Sequence, residues 1–207
     1  MRWPAAEPIA AGAVVLRGFA REDAAALVAA VEEIAAAARF RHMVTPGGWR
    51  MSAAMTSCGH VGWVTDKTGY RYAAADPTTG RPWPPMPERF RRLAAGAAAA
   101  GGFRGFAPDA CLINHYAPAA RLSLHRDEDE HDFTAPIVSV SLGLGAVFLF
   151  GGERRTDRPC RIALENGDVV VWGGPARLAY HGVAPLAHGD DPLTGACRIN
   201  LTFRKAL

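Results

Sequence analysis

From residue 109 to the C-terminus the chain offers no helical periodicity, only short β-rich runs cut by turn residues. The runs are CLINHY (111–116), APIVSVSLG (135–143), AVFLFGG (146–152), RIALENGDVVVWGG (161–174) and RINLTFR (198–204). A parallel α/β sheet needs a crossover of a dozen or more residues, usually a helix, between strands, and none fits here. What remains is a sandwich or jelly-roll barrel of antiparallel strands. Within IVSVSL the serines alternate with apolar residues, the period-two pattern of a half-buried strand. ENGD (165–168), between RIAL and VVVW, is a predicted hairpin turn.

The first hundred residues differ. REDAAALVAAVEEIAAAARF (21–40) carries Leu27, Val31 and Ile34 at helical spacing, with Glu22 and Asp23 at its start. PERFRRLAAGAAAAGGF (87–103) is predicted as a second helix, ended by Gly101 and Gly102. The stretch between them is rich in Gly, Pro, Trp and Tyr, as expected of hairpins and loops laid over another surface. A chain of 207 residues, 49% hydrophobic, suits one folded domain and excludes large-scale disorder. No run approaches the 18 or so uninterrupted apolar residues of a membrane span. MRWPAAEPIAAG, with Glu7 and several helix breakers, makes a poor signal peptide. Cys58, Cys111, Cys160 and Cys197 are scattered without a CxxC pair, which fits a reducing cytoplasm. Nothing in the sequence demands more than a monomer, and nothing points to a membrane.

Charge is unevenly placed. Residues 39–104 hold ten Lys/Arg against three Asp/Glu, whereas residues 105–135 hold two against six. A basic region leading into an acidic one suits a polyanion partner beside a cation site. The acidic part contains LHRDEDEH (124–131), in which His125 and Asp127 would share one face of an extended strand. His181, in YHG, is the natural candidate for a distal third ligand; on spacing alone a solvated acidic loop is the alternative reading of LHRDEDEH. Two imidazoles and a carboxylate hold non-haem Fe(II) with positions left open. In the terminal strand Arg198 and Arg204 are an even number of residues apart, so both would face one interior with Asn200 and Thr202. Buried guanidinium groups need anions, and a dicarboxylate ligand would meet them through paired hydrogen bonds. His60 and His131 fit structural roles better than ligand roles.

Together, NHYAPAARLSLHRDEDEHDFTAPIVSVSLGLGAVFLFGG, GDVVVWGGPARLAYHG and RINLTFR closely resemble the AlkB family of Fe(II)/2-oxoglutarate-dependent nucleic-acid demethylases. The resemblance runs through residues 109–207 and reaches upstream through MSAAMTSCGHVGWVTDKTGYRY and RPWPPMP. It is nearer to the bacterial DNA alkylation repair members than to the lipid- or protein-directed ones.

The resemblance implies a double-stranded β-helix (jelly-roll) core over 87–207, mainly β with flanking helices. It also implies a nucleotide-recognition lid over 39–86 and an N-terminal helical extension over 1–38, all within one catalytic domain. His125, Asp127 and His181 would ligate iron, and Asn114, Tyr116, Arg198, Asn200 and Arg204 would hold 2-oxoglutarate. Trp63 and Tyr70 would belong to the lid, Asp129 would bond the target base, and Arg155 would lie beside it. Glu130 matches the family pattern without a distinct role. Arg126 and Glu128 depart from it, which bears on substrate preference and not on iron. The implied reaction is oxidation of the N-methyl group of 1-methyladenine or 3-methylcytosine in DNA, with RNA as a second substrate class. It consumes 2-oxoglutarate and O2 and releases formaldehyde, succinate and CO2. Lys67, Arg71 and Arg81 are candidate phosphate contacts. Two alternatives stand beside it: an oxygenase of the same cofactors acting on a protein, lipid or small molecule, and a non-catalytic jelly-roll metal-binding module.

Overall fold

The structure, a computed structural model, describes residues 6–207; the first five residues of the stretch weighed as a signal peptide lie outside the described residues. The N-terminal half runs β1 (Ala6–Ala10), β2 (Ala13–Leu16), α1 (Ala24–Ala37), β3 (Ala54–Gly59), β4 (Gly62–Asp66), β5 (Gly69–Ala73) and α2 (Glu88–Ala100). There follow β6 (Ala110–Tyr116), β7 (Leu122–His125), β8 (Ile137–Gly143), β9 (Ala146–Phe150) and β10 (Cys160–Leu164). The chain ends with β11 (Val169–Trp172), a single 3-10 turn (Gly174–Ala176), β12 (His181–Val183) and β13 (Arg198–Arg204). Seven strands pair in the order β1-β2-β11-β8-β13-β6-β3 and four in the order β10-β9-β12-β7, while β4 and β5 form a separate hairpin. This is a jelly roll, mostly β with two helices. Among the described residues no helix is long and apolar enough to cross a membrane.

The central strands β11, β8 and β13 of the seven-stranded sheet are buried on both faces, and strand periodicity decides which residue meets which. From β13, Ile199, Leu201 and Phe203 join Val138, Val140 and Leu142 of β8 in one cluster with Leu27, Val31 and Ile34 of α1 and Phe90 and Leu93 of α2. Burying a side chain such as Phe203 contributes roughly 1.5–3 kcal/mol, and its ring meets Phe90 edge-on at 5.7 Å between centroids. The opposite face turns toward the four-stranded sheet, where Tyr116, Ile137 and Trp172 pack with Phe148, Phe150 and Leu164. The polar residues of β8 and β13 sit on that inner face. β8 is thus buried throughout and not half-buried. Its serines alternate because one face meets helices and the other a polar cavity.

Three further expectations change. ENGD does turn, with Gly167 at φ +86°, but it is not a hairpin. It passes the chain from β10, paired with β9, to β11, paired with β8 and β2. β11 is buried at every position whereas β10 alternates, so β11 needs a place inside the larger sheet. The buried Asp168 carboxylate fixes the crossing, accepting from Glu165 N (3.0 Å), Gly18 N (2.7 Å) and Arg17 Nη1 (2.9 Å). The N-terminal segment is not only helical, because β1 and β2 extend the sheet beyond β11. Of the 39–86 stretch, β3 belongs to the same sheet beside β6, which leaves the 41–52 loop and the β4–β5 hairpin over the barrel mouth.

Candidate metal centre and substrate cavity

β7 ends at His125 and β12 begins at His181, and the two residues are direct partners across the antiparallel pair. Their ring centroids are 4.4 Å apart. Gly182 permits this approach, since a Cβ there would lie 2.6 Å from the Leu122 carbonyl oxygen. Asp127 lies beyond the end of β7, so strand geometry alone does not hold it. Arg177 and Arg204 do: Arg177 Nη1 donates to its backbone oxygen (2.9 Å), and Arg204 Nε to its carboxylate (2.9 Å).

Both imidazoles are locked in one tautomer. Nδ1 of His125 faces the Ser123 oxygen at 2.9 Å and Nδ1 of His181 the Ala179 oxygen at 3.0 Å. A carbonyl only accepts, so each Nδ1 carries the proton and each Nε2 is free to ligate. The Nε2 atoms lie 3.8 Å (His125) and 3.7 Å (His181) from the Asp127 carboxylate oxygens. One ligand atom from each of the three residues lies within 4.8 Å of the others, so a small side-chain adjustment brings the set within the about 4.2 Å that bonds of about 2.1 Å to a shared divalent ion allow. Burial would raise the Asp127 pKa, but the Arg204 charge and the two imidazoles outweigh it and hold the carboxyl well below the usual range.

Burial, assisted by the neighbouring His125 charge, lowers the His181 pKa to about 4. The unfolded value is near 6.5, so between these values the unfolded chain binds more protons. The metal-free protein should therefore lose stability as pH falls from about 6.5 toward 4. Urea melts stepped through that window test this. His181→Asn should flatten the dependence, and an identical slope in that variant would assign the loss to other groups.

Beside the triad, register assembles a polar pocket. β13 and β6 pair Arg198 with Tyr116 and Asn200 with Asn114, and Ser139 and Ser141 of β8 flank them. Asn200 Nδ2 donates to Ser139 Oγ (2.8 Å). Arg198, 1% exposed, donates from Nη2 to Ser141 Oγ (2.9 Å) and lies over the Tyr116 ring at 5.1 Å. Its Nε and Nη1 are buried without a hydrogen-bond partner, as is Asn114 Oδ1. A buried guanidinium with two free N–H donors is a receptor for a carboxylate. Arg204 is different. It is already engaged by Asp127 (Nη2, 2.8 Å) and Glu130 (Nε, 3.4 Å), so it serves the metal ligand as well as the pocket.

Every residue proposed for iron, 2-oxoglutarate or base lines one cavity of about 690 Å³. Over its mouth, Trp63 Nε1 donates to Asp129 Oδ2 (2.7 Å), and the Trp63 and Tyr70 rings stack at 5.7 Å. Half-burial pushes the Asp129 pKa up, against the Trp63 hydrogen bond. Arg126 Nε pairs with Glu128 at 2.6 Å, at the rim. The suggested phosphate contacts do not stand at the mouth. Arg71 is clamped on Asp66 (2.7 Å), and Lys67 and Arg81 are also absent from the lining, which instead holds Arg50, Arg121, Arg126 and Arg155.

One buried pair escaped the sequence. Glu130, 5% exposed, receives Arg177 Nη2 (3.0 Å) and the Tyr72 hydroxyl (2.6 Å), linking β5 to the metal loop. For the pocket floor the sequence signals were the even spacing of Arg198, Asn200, Thr202 and Arg204 in β13 and the serine alternation of β8.

A jelly roll that turns two imidazoles and a carboxylate toward a cavity, beside an unpaired guanidinium, is the framework of a non-haem iron oxygenase with an anionic cosubstrate. Residues 12–204 match the 2OG-Fe(II) oxygenase superfamily. The chain is 58% identical over 203 residues to the alpha-ketoglutarate-dependent dioxygenase AlkB of Escherichia coli (strain K12), covering 98% of this chain and 94% of that protein. An AlkB homolog of Caulobacter vibrioides is 46% identical over 182 residues, covering 87% and 81%. The solved structure of OsALKBH1 matches with a TM-score of 0.86 at 28% identity, over 97% of this chain and 100% of that one. The chain belongs to the AlkB family of 2OG-Fe(II) oxygenases, whose cofactor is Fe(II) and whose cosubstrates are 2-oxoglutarate and O2.

Proposed function

We propose that the protein removes alkyl groups oxidatively from 1-methyladenine and 3-methylcytosine in single-stranded DNA, repairing alkylation damage, and acts as a monomer in the cytoplasm. The observation that carries this reading is the mouth of the cavity, where the Trp63 indole and the Asp129 carboxylate are bonded to each other over the metal triad. An aromatic plate and an anion at that place suit a flat cationic base. Four free cysteines accord with a reducing compartment.

In this reading His125, Asp127 and His181 hold Fe(II), and Asn114, Tyr116, Arg198, Asn200 and Arg204 hold 2-oxoglutarate. Bound together, they supply with O2 the oxidising power that side chains lack, leaving succinate and CO2. Three protein ligands would leave the remaining positions on the iron for cosubstrate and oxygen. Arg198 takes the distal carboxylate. The target base enters already unpaired, or flipped out of its stack, and stacks on Trp63 with Tyr70 behind the indole. Asp129 accepts from its exocyclic amine and balances its charge, while Arg155 faces the strand. The hydroxylated methyl group then leaves as formaldehyde when its C–N bond breaks, and the base regains its pairing edge.

The test is formaldehyde release from single-stranded DNA carrying 1-methyladenine or 3-methylcytosine, with unmethylated DNA as control and RNA as a parallel arm. No release from iron-loaded protein that binds 2-oxoglutarate would transfer the activity to another substrate class. Trp63→Ala should spare iron and 2-oxoglutarate binding and raise KM for the oligonucleotide roughly 5- to 150-fold, the equivalent of a lost stack of about 1–3 kcal/mol.

A further inference from the structure

Iron, 2-oxoglutarate and a flipped base leave one feature of the mouth unused, the turn from Thr45 to Arg50. It is a fixed tip. Thr45 N donates to the Trp49 oxygen (2.9 Å), Gly48 N to the Thr45 oxygen (2.8 Å) and Trp49 N to Thr45 Oγ1 (3.2 Å). Val44 pairs with Arg50, and Gly48 supplies the φ of +83° that the turn requires. Trp49 on this tip is 79% exposed, more than any other large hydrophobic side chain among the described residues.

A single exposed apolar residue calls for no explanation. Trp49, however, lines the cavity mouth together with Tyr70, itself 49% exposed, and with Arg50. Ser52 bonds both ways to the Arg121 backbone (2.7 and 2.9 Å), which brings Arg121 to the same edge. Among the described residues neither Arg50 nor Arg121 has a carboxylate partner, whereas Arg71 and Arg126 do. A flat exposed indole beside unpaired guanidinium groups receives a nucleotide, the base by stacking and the phosphate by charge.

We propose that Trp49, Arg50 and Arg121 form a second nucleotide subsite, which takes the base and phosphate next to the flipped base on the same strand. The inference rests on the nucleic-acid function proposed above. It gives the enzyme a grip on an undamaged neighbour.

The test compares wild type with Trp49→Ala on a methylated single-stranded oligonucleotide, and on the same strand with an abasic site on one or the other side of the lesion. On the intact strand the variant should bind roughly 5- to 150-fold more weakly, seen in KM, and Trp49→Phe should restore most of the loss. On the strand lacking the stacked neighbour, wild type and variant should bind alike, as expected when the two changes remove one interaction. Arg50→Ala and Arg121→Ala should each reduce the slope of log affinity against log salt by about 0.7, with Arg50→Lys retaining it. Equal binding of Trp49→Ala and wild type on the intact strand overturns the subsite. So does an equal loss on the intact strand and on both abasic strands, which would place Trp49 in the fold. Silence of the wild type on every methylated strand overturns the function itself and the subsite with it.

Discussion

Asp127→Ala is expected to abolish Fe(II) binding near physiological concentrations and to reduce 2-oxoglutarate decarboxylation to background. Asp127 is the only anionic member of the triad, and its two oxygens face the two imidazoles. Its loss also leaves Arg204 at the centre with only the longer contact to Glu130. The site then presents a buried positive charge to a cation. Removing one partner of a buried pair costs about 3–5 kcal/mol, so the melting temperature should fall by roughly 10 °C. Asp127→Ala combined with Arg204→Leu separates the two effects. The double variant should regain stability over the single one, because no orphaned guanidinium remains, while iron binding stays lost. Metal titration and CO2 release measure the first effect, thermal melts the second. Ordinary iron affinity and turnover in Asp127→Ala would remove this residue from the metal site.

Legibility along the chain follows how local the deciding physics is. α1 and α2 fall inside the stretches 21–40 and 87–103 because apolar residues at helical spacing need no knowledge of their partner. β2 is a four-residue apolar run, and such a run becomes a strand only because the edge of β11 is there to pair with it. ENGD shows the same limit. Turn chemistry specifies that the chain turns, but burial of β11 on both faces decides which sheet it joins.

At the site, residue types were visible and their engagement was not. His125 and His181 are 56 positions apart, and only the β7–β12 register makes them neighbours. A count of arginines could not say which are free: Asp66, five residues from Arg71, occupies it, while among the described residues Arg50 and Arg121 have no carboxylate partner. Glu130 matched the family pattern without a role and Arg177 carried no signal, since what makes them matter is burial together. The alternation of serine in β8 was legible but ambiguous, because water and a buried polar pocket select the same residue types.

Arg198→Leu should give the opposite balance between stability and binding. In the wild type this guanidinium is fully buried, donates to the Ser141 hydroxyl, lies over Tyr116 and leaves Nε and Nη1 unpaired. Burial lowers its pKa, with Tyr116 opposing. Such a group costs stability in the absence of an anion. An apolar replacement of similar reach should leave the metal-free protein as stable or more so. Iron affinity should also survive, since no contact joins Arg198 to Asp127. Affinity for 2-oxoglutarate should collapse, by roughly 30-fold to several thousand-fold, which corresponds to the 2–5 kcal/mol typical of losing one partner of a buried charged pair. Calorimetric titration of 2-oxoglutarate into metal-loaded protein reads that loss, and a urea melt of the metal-free variant reads the stability. Arg204→Leu is the control for location. Because Arg204 holds both Asp127 and Glu130, it should lose metal and cosubstrate together. If Arg198→Leu binds 2-oxoglutarate as the wild type does, the two unpaired donors serve some other anion. If it loses iron as readily as Arg204→Leu, the pocket and the metal site are one structural unit and not two receptors side by side.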